Sequence, residues 1–108
     1  MDVIVSAERD GDSVTDFRAD APNIYIRWDG TNLPLHGGVR VAWVAEDVGG
    51  IADPNFIVDQ SETEVRNATF GGLVTLSRPK DGWAAGKYRV EVYLDEQPLK
   101  SIPVTISE

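Results

Sequence analysis

The chain contains no cysteine, so neither a disulfide nor a thiolate metal site can support it, and its stability must come from packing. Cations are scarce as well: 10 Lys and Arg stand against 18 Asp and Glu, a formal net charge of −8. Nucleic acid and anionic membrane surfaces both demand a concentration of Lys and Arg, so neither is an expected partner, and the acidic surface reads first as a device for solubility. No apolar run approaches the roughly 18 residues of a membrane span, which excludes direct membrane insertion by a helix. The opening residues MDVIVSAE lack the basic start and long apolar stretch of a signal peptide. Nor does any window of a dozen residues hold the i, i+3, i+4, i+7 apolar pattern, so no α-helix of consequence is predicted.

What the chain does have is 42% hydrophobic residues, with three Trp, three Tyr and three Phe, within 108 residues. That length fits one domain spanning residues 1–108, and a domain of this size buries roughly 65% of the surface of its unfolded chain. The clearest pattern lies in residues 87–95, where Tyr88, Val90, Val92 and Leu94 alternate with Lys87, Arg89, Glu91 and Asp95. This is the period of a strand with one buried and one wet face. After a turn through Glu96 and Gln97, Ile102, Val104 and Ile106 resume the alternation, so a second strand is expected to pair back on the first.

Upstream, residues 2–7 form a short β-rich start, and the polar stretch ERDGDSVTD after them reads as a turn or loop, with the chain restarting at Asn23. Residues 23–29, NIYIRWD, are rich in β-branched and aromatic side chains behind Pro22. Residues 29–38 form a long connection, and residues 38–47 the next strand, with Val39, Val41 and Trp43 on one face. Residues 48–59 read as a turn, a short strand through Phe56, Ile57 and Val58, and another turn. Residues 63–70 and 73–77 are two further strand candidates, separated by Gly71 and Gly72 as a turn or as a bulge within one long strand. Residues 78–82, RPKDG, are a turn by composition. Seven or eight short strands with turn signals about every 8–12 residues predict an all-β, antiparallel sandwich.

Three places sharpen this pattern: Ile26 or Trp28 on the second long strand, Trp43 on the third, and Asp81 followed by Gly86-Lys87-Tyr88-Arg89-Val90. Together they resemble the immunoglobulin-like layout, in which a Trp packs between the sheets and a Tyr opens the penultimate strand two residues before a cysteine. The resemblance implies structural roles for Trp43, Tyr88 and Val90. Val90 stands where that cysteine would be, which separates the chain from disulfide-bonded antibody-type domains. It also implies that the Tyr88 hydroxyl bonds to backbone in the turn of residues 78–82. The run from Phe17 onward, with GW..GKYRVEVYLD and a closing PVTI, is similar to immunoglobulin-like domains of uncharacterised bacterial envelope proteins. That likeness implies an accessory module of an extracytoplasmic protein, periplasmic, surface-bound or secreted.

Candidate sites are few. His36, the single histidine, lies in LPLHGG with no GxSxG or comparable nucleophile setting, and is expected to be a loop residue. Asp10, Asp12 and Asp16, with Glu8 nearby, could supply oxygen ligands to calcium, although the EF-hand spacing is absent. Asp47, Asp53 and Asp59 form a wider set of the same kind. Asn67-Ala68-Thr69 matches a glycosylation acceptor, meaningful only in a secreted eukaryotic chain. Trp83 either presents an aromatic face to a carbohydrate or protein, or closes one end of the core beside Tyr88; the closing role is the expectation, given the area a buried Trp contributes. The functional expectation is therefore a non-catalytic, monomeric module without cofactor that contacts a protein partner or spaces neighbouring domains. Ligand binding, to carbohydrate at Trp83 or to calcium at the acidic loop, is the alternative.

Overall fold

The computed structural model describes residues 1–108 and contains eight strands and no helix. They are β1 (Asp2–Ser6), β2 (Asp16–Arg18), β3 (Asn23–Gly30), β4 (Gly38–Asp47), β5 (Phe56–Glu64), β6 (Phe70–Ser77), β7 (Gly86–Leu94) and β8 (Gln97–Ser107). A three-stranded sheet, β1-β3-β6, faces a five-stranded one, β2-β8-β7-β4-β5. All neighbours are antiparallel except β2 and β8. The molecule is thus an all-β sandwich.

Period-2 alternation builds the core. Ile24, Ile26 and Trp28 of β3, Val39, Val41 and Trp43 of β4, Tyr88, Val90 and Val92 of β7, and Val104 and Ile106 of β8 are all buried in one hydrophobic cluster drawn from both sheets. Val90 is paired with Trp43 across β4 and β7 and is fully buried, so an apolar side chain fills the position that the resemblance assigns to a cysteine. The indole of Trp43 stacks on Tyr88 with ring centroids 4.7 Å apart and meets Trp83 edge-on at 6.1 Å.

Four local expectations need correction. The chain does not wait until Asn23 to rejoin a sheet: β2 intervenes, running parallel to β8 with Phe17 opposite Ile106 and buried beneath it. Three residues are too few to show a period, and a single Phe between Asp16 and Arg18 was the only signal. The β7–β8 turn consists of Asp95 and Glu96, not Glu96 and Gln97; both have positive φ, 49° and 66°, as a two-residue type I′ hairpin requires. Phe56–Glu64 is one continuous edge strand with no turn after Val58, and residues 65–69 are the connection. Finally, Gly71 and Gly72 are neither turn nor bulge but regular members of β6, opposite Asp29 and Trp28. A Cβ at Gly72 would stand 2.8 Å from the Trp28 indole, so the ring of β3 occupies the space that a side chain on β6 would need. Phe70 completes this packing edge-on to Trp28 at 5.8 Å.

Tyr88 holds the start of β7. Its hydroxyl donates to the Ala84 carbonyl at 2.6 Å, four residues upstream and therefore beyond the turn of residues 78–82 in which the acceptor was expected. Burial disfavours the phenolate and pushes the Tyr88 pKa up from its ordinary value. Tyr88→Phe is expected to cost about 1–2 kcal/mol in denaturant unfolding, because a carbonyl loses its donor. A second signature comes from linkage. The folded state keeps the Tyr88 proton at pH values where the unfolded chain has lost it, so its contribution is present below about pH 10 and lost as pH rises through the higher folded value. Tyr88→Phe should therefore flatten the alkaline fall in stability; an unchanged midpoint and an unchanged alkaline slope would refute the corner role.

Candidate binding edge and apolar cleft

The order β2-β8-β7-β4-β5 leaves β5 at one margin of the larger sheet, with most of its residues exposed. The sequence suits that position. A margin strand with little covered surface has no need of apolar alternation, and FIVDQSETE lacks it: three apolar residues are followed by six polar ones, of which only Ser61 and Thr63 are half-buried. Ile51, Phe56, Ile57 and Val58 are 75%, 50%, 47% and 47% exposed along the β4–β5 connection and the first third of β5, with Ile51, Phe56 and Val58 lining one cleft and Ile57 on the other face of the strand. Phe56 lies opposite Ala45, Ile57 opposite Val44 and Asp59 opposite Trp43, so Val58 is the extra residue of a bulge.

Behind Phe56 and Val58 the surface opens into a cleft of about 360 Å³ whose floor is the aromatic cluster of Trp43, Trp83 and Tyr88. Lys80 and Asp81 mark its rim. The Nε1 of Trp43 is buried without a hydrogen-bond partner. Trp83, by contrast, is only 6% exposed and its Nε1 donates to the Ala21 carbonyl at 2.8 Å. It closes the end of the core and contributes a wall to the cleft, leaving no open aromatic face for stacking a sugar.

The other end of β5 is acidic. Glu62 and Glu64 share a polar depression of about 610 Å³ with Asp95, Glu96 and His36. Arg40, opposite Glu62, does not neutralise it; its guanidinium lies 4.1 Å from the centre of the Tyr93 ring and is directed to Glu96 at 3.0 Å and Gln60 at 3.3 Å. Glu64 meets Nδ1 of His36 at 2.6 Å, an exposed contact that holds its carboxyl below the usual carboxylate range. Glu62 and Asp59 take part in none of the ion pairs. His36 itself, at φ 66° in the loop before β4, has this carboxylate as its side-chain partner and no hydroxyl in reach of a hydrogen bond.

The acidic loop does not assemble a metal cage. Nowhere do three Asp, Glu or His side chains converge as ligands, neither at Asp10, Asp12 and Asp16 nor at Asp47, Asp53 and Asp59. The guanidinium of Arg27 reaches the Gly11 carbonyl and places a cation in the loop. The carboxylates of Asp47 and Asp59 instead accept from backbone amides of Gly49 and Gln60, at 3.1 and 2.8 Å. Asn67-Ala68-Thr69 is exposed on the β5–β6 connection.

Fold and surface together define a cysteine-free two-sheet sandwich with a nine-residue edge strand, apolar at one end and acidic at the other. No family model, curated protein or solved structure matches the chain.

Proposed function

We propose that the chain is a non-catalytic, immunoglobulin-like module that makes protein contacts by accepting an extended segment along β5, and that it serves as an accessory part of an extracytoplasmic envelope or secreted protein. The observation that carries the reading is the unpaired nine-residue edge of β5 with Phe56, Ile57 and Val58 exposed on it. An edge strand offers a row of free backbone N–H and C=O groups, and proteins that do not use such an edge blunt it with short length, Pro or Lys. Of the other edges, β2 has three residues and β1 five, and β6, with eight, exposes one large apolar side chain, Leu73, where β5 exposes three. The strand order, the Trp43–Tyr88 stack and the tyrosine bonded four residues back support the immunoglobulin-like layout. The extracytoplasmic setting rests on the resemblance of the last two strands alone.

Selection of a displayed library of random twelve-residue peptides against the intact chain tests the contact role. Bound peptides are expected to slow amide exchange over residues 56–64 more than anywhere else. Protection that avoids β5, or a library that yields no binder, would remove this function.

A further inference from the structure

On the reading of β5 as the docking edge, we infer that its partner is a strand running antiparallel to β5, with Lys or Arg where it passes Glu64 and Glu62 and apolar side chains where it passes Phe56 to Val58, and that the partner is not a second copy of this chain. The charge pattern along the edge carries this. Glu62 and Glu64 lie on the outer face, opposite Arg40 and Gly38. Glu62 has no ion-pair partner, and Glu64 is held only by an exposed histidine. A cation directly across from each would form the opposite-charge cross-strand pairs that stabilise a ladder, and like charges there would oppose it.

Self-pairing fails on the same pattern. In an antiparallel pair of β5 strands centred on Gln60, Glu64 of one copy falls opposite Phe56 of the other and Glu62 opposite Val58, which brings carboxylates against the apolar patch. In a parallel in-register pair each carboxylate meets its own counterpart. Two chains of net charge −8 also repel as wholes. Antiparallel addition is the direction that gives the more favourable ladder. In that direction a partner's inward side chains pass beside Phe56 and Val58 and extend the wall of the aromatic-floored cleft. The inferred ligand, read from its own N-terminus, is therefore a basic-then-apolar β-strand.

Two nine-residue peptides test this. One has Lys at its first and third positions, Thr at the second, fourth and fifth, and four apolar residues at the end; the other has Glu in place of both Lys. Titrated into the intact wild-type chain at low salt, the Lys peptide is expected to bind about tenfold more tightly or better, with exchange protection on β5. In the chain carrying both Glu62→Lys and Glu64→Lys the preference should reverse, while resonances of the core strands stay in place. Equal affinity for the two peptides, a preference that survives the double substitution, or wild-type chain that dimerises through β5 would overturn the inference. Binding by neither peptide would also overturn it; library peptides that still protect β5 would then leave the docking role standing, and library peptides that avoid β5 would remove both.

Discussion

Replacing Gly86 by Ala is expected to destabilise the protein by about 4 kcal/mol or more, in the range reserved for severe single substitutions. Gly86 opens β7 at φ 151°, a conformation that L side chains rarely adopt. A Cβ there would lie 2.3 Å from the Asp47 carbonyl oxygen and 2.9 Å from the Cα of Val48. Both obstacles are backbone, so no rotamer change relieves them. The close approach arises because the pairing of β4 with β7 shifts register between Ala45 and Asp47, which turns the end of β4 toward the start of β7. Moving either chain would also disturb Tyr88, two residues on, whose stack and hydroxyl bond fix this corner. Denaturant unfolding should show a lower midpoint with an unchanged slope. Gly50→Ala is the control: its φ of 89° is also positive, but nothing lies within 4 Å of the new Cβ, so only the backbone preference, about 1 kcal/mol, is at stake. A Gly86→Ala protein within about 1 kcal/mol of wild type would mean that β7 begins elsewhere.

The contrast between these two glycines is invisible in the sequence, where Gly50 reads as part of a turn and Gly86 as the entry to a strand. Alternation over Tyr88, Val90, Val92 and over Ile102, Val104, Ile106 identifies strands because those segments sit with one face on the core and one in water. The same logic loses β5 and β2. Only Ser61 and Thr63 of β5 are half-buried, so no apolar period joins Phe56, Ile57 and Val58 to the strand candidate that begins at Thr63, and β2 is tethered through three residues whose pairing with β8 depends on a contact almost ninety residues away in sequence. Gly71 and Gly72 mislead in a related way. Their smallness answers to Trp28 on the neighbouring strand, and no local rule relates a glycine to a ring across a sheet. The candidate site inherits these blind spots. Phe56, Ile57 and Val58 are legible as an apolar run, but that they face water becomes apparent only once the opposing sheet is seen to stop at β6. The acidic loop fails for the converse reason: Asp10, Asp12 and Asp16 are close along the chain yet do not come together as a ligand set, and the Arg27 cation that enters the loop comes from β3.

Trp83→Ala is expected to cost roughly 3–5 kcal/mol, as for large-to-small changes in a core. The indole is almost wholly enclosed, and its edge-on contact with Trp43 adds to the area it buries. Its ring N–H donates to the Ala21 carbonyl at 2.8 Å and its backbone N–H to the Ala19 carbonyl at 2.9 Å, so the residue fastens the connection before β7 to the segment that follows β2. Removing the side chain empties one wall of the cleft and leaves the Ala21 carbonyl without that donor, while the backbone bond persists. Trp83→Phe separates the two effects: it keeps much of the packing and loses the hydrogen bond, and should cost less, about 1–2 kcal/mol. Emission from Trp83 should be blue-shifted and shielded from a polar quencher, measured in a chain where Trp28 and Trp43 are each replaced by Phe, with the single Phe variants as controls. A Trp83→Ala protein within roughly 0.5 kcal/mol of wild type, together with ready quenching of Trp83, would detach the residue from the core and turn the cleft wall into an exposed aromatic platform. Full protection combined with the expected loss leaves the exposed apolar residues of β5, not Trp83, as the surface on which a partner must act.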